Sequence, residues 1–434
     1  MAGHRLLILG AAVLIPLLGT LTIAPAAAAA KSEKVLYSFC SIQGCADGFE
    51  ANGSLILDPA GHLYGTTRAG GTGVNKQVCP QGCGTVFELA PAVNGEWTET
   101  VLYSFCSVAS CADGALPNAG LILDAAGNLY GTATPGGASG HGIVFQLTHA
   151  GNGQWTENVV YSFCSLKGCV DGSLPNAGLI IDAAGNLYGT TSEGGGRNEG
   201  TVFELTAGLN GAWTETIIHS FGYEAADSPV GGVIFDAAGN LYGEGNGGAY
   251  GLGIVFRLTP KSIGTWSEAT IYDFTGGDDG SGPGNGLSFD THGNLYGVTN
   301  SGGMDNLGIA FELKPSERFW TMSVIHSFTG EKNDGGHPSS GLIFNKSGNL
   351  YGASIQGGFN EQGAVFKLMR SDDNRAWRES VAYSFNNNGG GGYYPTGDLS
   401  FDAAGNLYGT TNFGGANTGC GNSIGCGVVF EITP

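Results

Sequence analysis

The sequence has few charged residues, and most of them are negative. Asp, Glu, Lys and Arg together make up 12% of the 434 residues, about half the usual globular share. Only 17 Lys and Arg residues oppose 37 Asp and Glu residues, so the formal net charge is −20. Nucleic acids and anionic membrane surfaces would be repelled, and we exclude them as partners. A cation, a neutral glycan or a basic protein remains compatible with this charge.

The sequence also has no long apolar run after its first thirty residues, and its composition suits helices badly. Glycine occupies 79 positions, and aromatic residues make up 10%. Glycine weakens helices, whereas aromatic residues favour strands and glycine favours tight turns. With 41% apolar residues the chain can bury a core. We therefore expect many short strands.

The first thirty residues differ from the rest of the chain. Arg5 precedes an apolar run from Leu6 to Ile23, and small residues follow up to Ala30. This order is typical of a secretory signal, so we expect residues 1–30 to be a signal peptide, cleaved near Ala30. The alternative is an uncleaved membrane anchor, because the run approaches spanning length. After cleavage, residues 31–434 would be secreted, to the periplasm or beyond the cell, without a stable membrane span.

One phrase, exemplified by Asp124 to Gly131 (Asp-Ala-Ala-Gly-Asn-Leu-Tyr-Gly), occurs seven times. Its asparagine slot is occupied by His62, Asn128, Asn186, Asn240, Asn294, Asn349 and Asn406, at spacings of 66, 58, 54, 54, 55 and 57 residues. This period fits one propeller blade with long loops. The sequence predicts an all-β, seven-bladed β-propeller with four antiparallel strands per blade. The repeats cover approximately residues 35–100, 101–158, 159–216, 217–269, 270–323, 324–380 and 381–434.

The second copy shows the expected strands. Apolar residues from Gly120 to Asp124 predict an inner strand, and a turn capped by Asp124 leads to a second strand from Asn128 to Thr132. The third and fourth strands are expected at residues 143–147 and 155–163. Gly131 recurs in every copy, for which a bulge or a close backbone approach is the expected cause.

The two ends of the mature chain complement each other. A tryptophan opens the fourth strand in six copies, but the seventh copy ends at Ile432 after its third strand. The missing strand matches the segment from Lys34 to Phe39, which resembles Val101 to Phe105. We expect this N-terminal strand to complete the last blade and close the ring.

The repeat resembles that of the GloVer-containing "choice-of-anchor" proteins over essentially the whole mature chain. Its apolar strand followed by an Asp-x-x-Gly-Asn turn is also similar to propeller repeats of the NHL type. The GloVer resemblance implies an exported bacterial protein with a propeller-like repeat. Members of that class often carry a C-terminal sorting anchor, and we see none before Pro434.

The ten cysteines fall into five local pairs. An even number of cysteines in an exported chain predicts disulfides, and the alternative is thiolate metal binding, which usually shows tighter spacing. Three pairs precede a first strand, and two lie between second and third strands, so all are expected on one loop-rich face of the propeller. The pairs are Cys40 with Cys45, Cys79 with Cys83, Cys106 with Cys111, Cys164 with Cys169, and Cys420 with Cys426.

Aspartates recur in the loop that precedes the first strand, usually before glycine. If the ring gathers them near a channel mouth, they form a weak candidate ligand site, and a calcium ion could neutralise them. The alternative is turn chemistry, because Asp-Gly pairs form turns in any protein. These residues are Asp47, Asp113, Asp171, Asp227, Asp279 and Asp334.

No catalytic constellation emerges from the residues. We expect a non-catalytic binding or interaction scaffold, monomeric, whose unknown protein or glycan ligand binds the loop-rich face, with no cofactor apart from that calcium. A glycan hydrolase or lyase is the first alternative, and a structural envelope component the second. The enzyme would need an acid or histidine that breaks the repeat. Candidates for such an acid are Glu50, Glu193, Glu224 and Glu244.

Overall fold

Seven four-stranded antiparallel sheets form the blades of a β-propeller, as predicted. The computed structural model describes residues 32–151, 153–222, 227–262, 264–317, 319–371, 376–386, 390–421 and 424–433, and residues 31–434 form one compact unit. The proposed signal peptide lies outside the described residues. Among the described residues, no helix is long and apolar enough to cross a membrane.

The innermost strands are shorter than expected. They pair over only two residues in every blade, because the preceding residues leave the sheet to line the central channel. In blades 4 to 7 a separate short segment also pairs with the second strand. The first strands are Ile56–Leu57, Ile122–Leu123, Ile180–Ile181, Asp227–Pro229 with Ile234–Phe235, Ser281–Pro283 with Ser288–Phe289, Gly335–Pro338 with Ile343–Phe344, and Gly392–Pro395 with Ser400–Phe401.

The other strands follow the sequence expectation closely. The second strands are Leu63–Thr67, Leu129–Ala133, Leu187–Thr191, Leu241–Asn246, Leu295–Ser301, Leu350–Gly357 and Leu407–Gly414. The third strands are Thr85–Pro91, Ile143–His149, Thr201–Ala207, Ile254–Pro260, Ile309–Pro315, Ala364–Arg370 and Val428–Ile432. The fourth strands are Trp97–Ser104, Trp155–Ser162, Trp213–Ser220, Trp266–Asp273, Trp320–Ser327, Trp377–Ser384 and Glu33–Ser38. Two short 3₁₀ turns, Gln43–Cys45 and Ala109–Cys111, lie in the disulfide loops.

The recurring glycine of the second strand has a different cause from the one expected. Gly65 pairs across the sheet with Phe87, and a Cβ added to this glycine would lie 2.7 Å from the ring carbon Cζ. Gly131 has the same relation to Phe145, at 2.6 Å. The missing side chain therefore makes room for an aromatic ring. The bulge lies instead in the fourth strand. Val86 pairs with Tyr103 and Phe87 pairs with Val101, so the pairing skips one residue of the fourth strand.

Two phenylalanines hold each seam between neighbouring blades. The phenylalanine after a fourth strand packs edge-on or tilted against the third-strand phenylalanine of the next blade, with ring centroids 4.8–5.4 Å apart. Each of these rings is almost completely buried. The pairs are Phe39–Phe87, Phe105–Phe145, Phe163–Phe203, Phe221–Phe256, Phe274–Phe311, Phe328–Phe366 and Phe385–Phe430.

The N-terminal strand closes the ring, as expected from the sequence. Residues Glu33–Ser38 pair antiparallel with Val428–Ile432 and supply the fourth strand of blade 7. The Phe39 ring then contacts Phe87 of blade 1, so one short segment completes both a sheet and a seam. The first and last strands of the described residues thus meet in one blade.

A buried glutamate faces the preceding blade at several seams. The carboxyl Oε1 of Glu99, Glu157, Glu215 and Glu379 is buried without a hydrogen-bond partner. Burial raises the pKa of these groups to about 8, 7, 7 and 8, and the nearby charge of Asp47, Asp113, Asp171 and Asp334 adds to the rise. These seams therefore favour protonated glutamates.

The closure of the ring can be tested through one aromatic ring. Phe39 and Phe105 occupy equivalent seams and are both fully buried. If the N-terminal strand is an integral blade strand, Phe39→Ala should lower the free energy of unfolding as much as Phe105→Ala, by about 3–5 kcal/mol. Denaturant unfolding of both variants measures this. A Phe39→Ala cost near zero, or a deletion of residues 31–39 that melts like the intact mature chain, would contradict closure.

The seam glutamates predict a distinct pH dependence of stability. Because their pKa is higher in the folded than in the unfolded chain, the folded state binds more protons between about pH 4.5 and 8. The free energy of unfolding should therefore fall as pH rises through this interval. The double variant Glu157→Gln/Glu215→Gln imitates the protonated form and should show a smaller fall. Melting temperatures between pH 5 and 9 test this, and equal slopes for both proteins would refute it.

Candidate functional site

The loops that vary between blades lie together on one face. The loop before each first strand and the loop between the second and third strands are joined by a backbone hydrogen bond, for example from Gly71 N to Cys45 O at 2.9 Å. Gly137 and Gly195 make the same bond to Cys111 and Cys169. Glycine is required here, because Gly70 has a φ of 81° and lies against the backbone of Gly48.

All five predicted cysteine pairs are disulfides and lie in these loops. Cys79, Cys83, Cys106 and Cys111 come close enough together to resemble a metal site, but each sulfur is already bonded to another. The disulfides therefore close loops on the face where the chain length varies most. They join Cys40 with Cys45, Cys79 with Cys83, Cys106 with Cys111, Cys164 with Cys169, and Cys420 with Cys426.

The candidate aspartates are held within their own loops and do not surround the channel. Asp113 Oδ2 accepts hydrogen bonds from the Tyr103 hydroxyl at 2.7 Å and from the Ser107 amide at 2.8 Å. Asp47 and Asp171 repeat this arrangement. Each carboxylate thus joins the fourth strand to the loop that follows it. These contacts are those of turn residues, and ligand binding by the aspartates stays a prediction.

The remaining candidate aspartates are held in a similar way, with some different hydrogen-bond donors. Asp279 accepts from Tyr272 and Thr275, and Asp334 accepts from Thr329 and lies 2.9 Å from His326 Nε2. The backbone of Asp227 pairs with Asn246, and its side chain lies outside the described residues. His326, Asp334 and Glu379 have ligand atoms within 4.8 Å of one another. Tyrosine occupies the position of His326 in most blades and donates to the equivalent aspartate. The contact between His326 and Asp334 is therefore the same structural contact.

A central channel of about 420 Å³ is lined mainly by the residues that immediately precede the paired first strands of the seven blades. The channel is narrow because glycines allow the backbones of neighbouring blades to contact each other. A Cβ on Gly53 would lie 2.6 Å from Ala119 O, and one on Gly397 would lie 2.7 Å from Gly53 O. Small polar residues such as Asn52 and Asn118 complete the lining. The channel lining therefore combines backbone, amide and hydroxyl groups with apolar side chains such as Leu121 and Val233.

Two carboxylates break the repeat beside this channel. Glu244 occupies a second-strand slot held elsewhere by threonine, valine or alanine, and it is 1% exposed. Its Oε2 accepts the Gly286 amide at 3.0 Å, whereas Oε1 is buried without a partner. Burial, partly offset by the Gly286 hydrogen bond, raises its pKa to about 8, and the charge of Asp398 contributes to the rise. Burial therefore favours the protonated form of Glu244.

Asp398 stands on the channel wall itself. It fills a slot that is glycine in five other blades, accepts the Gly341 amide at 2.7 Å and accepts the Ser54 hydroxyl at 3.0 Å. Burial raises its pKa as well. Sequence reasoning considered Glu244 but missed Asp398 and Ser54, and another acid that it considered, Glu224, lies outside the described residues. The signal that could have revealed them is a side chain in a glycine slot of the aligned copies.

A groove of about 550 Å³ between blades 3 and 4 opens on the loop-rich face. Asn176, Ala177 and Val230 line both this groove and the channel, so the two are continuous. Glu193 and Glu199 contribute carboxylates. Hydroxyl and amide groups complete the lining, from Ser192, Asn198, Ser228 and Asn246. Among the described residues that line the groove and the channel, none is a lysine, arginine or histidine.

This arrangement can accept hydrogen bonds and attract positive charge. Carboxylates and amide oxygens suit hydroxyl groups, ammonium groups and hard cations. Glu244 itself is too deeply buried to touch a ligand in the groove, whereas Asp398 faces the channel. The site therefore has the chemistry of binding, with one carboxylate placed to meet a ligand in the channel.

Several solved structures are similar in fold. A putative oxidoreductase (glucose dehydrogenase) from Thermus thermophilus is 16% identical with a TM-score of 0.43, covering 93% of this chain and 100% of its own. A protein of unknown function from Dyadobacter fermentans is 10% identical with a TM-score of 0.42, over 92% and 96%. Trypanosoma rangeli sialidase is 14% identical with a TM-score of 0.41, over 79% and 57%. Similarities of this size carry no argument about activity.

The repeat itself is matched directly at the level of sequence. No curated protein matches the chain. The profile of the Gloeobacter/Verrucomicrobia repeat matches residues 19–203, 73–291 and 244–434, which together include every blade. This agrees with the resemblance of the repeat to that of the GloVer-containing proteins. The chain belongs to the Gloeobacter/Verrucomicrobia repeat family.

Proposed function

We propose that the protein is an exported, non-catalytic binding propeller whose ligand is neutral and hydroxyl-rich, or cationic. The ligand occupies the groove between blades 3 and 4 and reaches the channel mouth. The observation that carries this proposal is the lining of the groove, which combines Glu193 and Glu199 with amides and hydroxyls and lacks a basic side chain among its described residues. A sugar or an amine finds hydrogen-bond acceptors there, whereas an anion would be repelled.

The cysteine chemistry supports export. Five disulfides form between cysteines that are four to six residues apart, and no described cysteine is free. Disulfides persist in oxidising compartments and are rare in the cytosol. The proposed location is therefore the periplasm or the exterior of the cell, reached through the signal peptide in residues 1–30, with the protein acting as a monomer.

A glycan hydrolase or lyase is the second candidate function. The observation that favours it is the pair formed by Glu244 and Asp398, both of which depart from the repeat and both of which have raised pKa values. Such pairs serve as acid and base in glycan cleavage. The burial of Glu244 speaks for the binding function, because a general acid must reach the bond that it protonates.

Calcium binding at the loop-rich face is a further proposal. It rests on the loop aspartates, which place a carboxylate next to a buried glutamate at several seams, for example Asp113 beside Glu157. Calcium prefers such oxygen ligands. The aspartates could meet an ion only by giving up hydrogen bonds to their own loops. For this reason we place the ligand in the groove first.

The groove can be tested with a glycan array and a thermal-shift screen of the purified mature protein, including polyamines and calcium chloride. At least one neutral glycan or cationic compound should raise the melting temperature. The variant Glu193→Gln/Glu199→Gln should weaken its binding about tenfold or more, since charged hydrogen-bond acceptors are lost. Glu331→Gln, an exposed loop variant in blade 6, is the matched control and should bind normally.

Two outcomes would contradict the proposal. The first is a hit whose affinity survives the double variant but falls in Glu331→Gln. The second is the release of new reducing ends or unsaturated products from a bound glycan, which would establish the enzymatic alternative.

A further inference from the structure

Blade 6 departs from the repeat in its charge. The turn between the first and second strands begins with aspartate in the six other blades, but blade 6 has Asn345 followed by Lys346. In the third strand, Lys367 occupies a slot that holds glutamate in four blades, and Arg370 ends a strand that ends in proline, alanine or histidine in blades 1 to 5. Each change removes negative charge or adds positive charge. These changes occur within a chain of net charge −20.

The altered residues meet on the face opposite the variable loops. One groove of about 900 Å³ lies between blades 5 and 6 and is lined by Lys314, Lys346 and Arg370. A second groove of about 450 Å³ lies between blades 6 and 7 and is lined by Lys346 and Lys367. Residues 344–347 and Asn349 line both grooves. The turn of blade 6 is thus a ridge with a cationic groove on each side.

The cations of the larger groove are fixed in position. Arg370 lies over the Trp377 ring at 4.5 Å and donates to Glu312 at 2.7 Å and to the Tyr296 hydroxyl at 2.9 Å. Lys314 lies 3.0 Å from the other oxygen of Glu312. The single carboxylate of Glu312 therefore holds two cations, and one positive charge is left in excess. Such preorganised cations lose little conformational entropy when an anion binds.

The ridge also has hydrogen-bond donors that bond to the turn aspartate in other blades. In blade 2 the Asn128 amide and the Tyr130 hydroxyl donate to Asp124 Oδ2, at 2.8 and 3.1 Å. In blade 6, Asn345 Oδ1 accepts the backbone amides of Ser347 and Asn349, as the aspartate does. Within the described part of the chain, no hydrogen bond joins the Tyr351 hydroxyl to the Asn345 side chain as Tyr130 is joined to Asp124 in blade 2. Replacing aspartate by asparagine therefore leaves donors without their carboxylate acceptor.

The outer edges of the two grooves keep their carboxylates. Asp290 lines the larger groove and Asp402 the smaller one, and hydrogen bonds from their own turns lower the pKa of both groups. Both carboxylates are occupied within their own blades, because Asp290 accepts from His292, Asn294 and Tyr296, and Asp402 accepts from Asn406 and Tyr408. The donors of the blade 6 turn and its cations are therefore the groups left to meet a ligand. A ligand that fits has anionic groups for the lysines and Arg370, and hydroxyl oxygens that accept hydrogen bonds from the blade 6 turn. Single-stranded DNA has phosphates instead of carboxylates, and an acidic peptide has carboxylates but few hydroxyl groups.

We propose that the two grooves flanking the blade 6 turn bind an acidic oligosaccharide, a chain of uronic acid units. Its carboxylates contact Lys314, Lys346, Lys367 and Arg370, and its hydroxyl oxygens accept hydrogen bonds from the blade 6 turn. This site is independent of the proposed ligand groove, since it lies at the other end of the strands and takes a ligand of opposite charge. The protein would then connect an acidic glycan on one face with a neutral or cationic ligand on the other.

The test uses calorimetric titration of the mature protein with tetragalacturonate. The same tetramer with its carboxyls methyl-esterified is the neutral control and should not bind. The variant Lys346→Gln/Lys367→Gln should weaken binding about tenfold or more, because charged hydrogen bonds are lost. Lys76→Gln/Lys167→Gln, two exposed lysines of the loop-rich face, is the matched control and should bind like the unaltered protein.

A second variant keeps the test valid if the lysine changes disturb folding. Asn345→Asp restores the residue of the six other blades, so the fold and the melting temperature should be preserved or improved. Affinity for tetragalacturonate should nevertheless fall, because a negative charge enters the ridge. Equal binding by Asn345→Asp, equal binding of the esterified tetramer, or tighter binding of polyglutamate or single-stranded DNA would each overturn the proposal.

Discussion

The edge-on contact between two phenylalanines at each seam is the interaction on which the rest of the structure depends. A single blade of four short strands cannot bury both of its faces, and its neighbours must cover them. The third-strand phenylalanine makes two contacts that cover these faces. It packs over a glycine of the second strand in its own blade, and a phenylalanine of the preceding blade packs against it. Because all seven seams use the same contact, the ring is held together only when the last seam is made. The segment from Glu33 to Phe39 makes it.

This regular framework explains why function must be sought where the repeat is broken. Residues that recur in most or all blades serve the blade, as the turn aspartates, the second-strand glycines and the seam glutamates do. Glu244, Asp398 and the charge changes of blade 6 serve no blade contact that the other copies need. They lie beside three openings, namely the channel and groove of one face and the double groove of the other. An asymmetric ligand can be recognised on a symmetric ring only through such departures.

The sequence predicts the fold nearly completely, and the reason is physical. Seven copies of one phrase with turn residues at fixed positions leave few alternatives to a ring of blades, and the split last blade determines how that ring closes. The cause of the recurring glycine at positions such as Gly131 could not be inferred, since it depends on a cross-strand partner whose register is known only after folding. The site was harder still. The loop aspartates recur, but their recurrence reflects a shared turn. Asp398 occurs once, and its only signal in the sequence is a side chain in a slot that holds glycine in five other copies.

The central claim is that the ligand recognises blade-specific residues in the groove between blades 3 and 4. Hydrogen–deuterium exchange of the mature protein, with and without a ligand found by screening, measures this directly. The account predicts slower exchange in residues 190–200, in residues 228–230 and at Asn246, the segments that contribute to the lining of that groove, with the other seams unchanged. Protection spread evenly over all seven blades, or confined to the Asp-x-x-Gly-Asn turns, would contradict it.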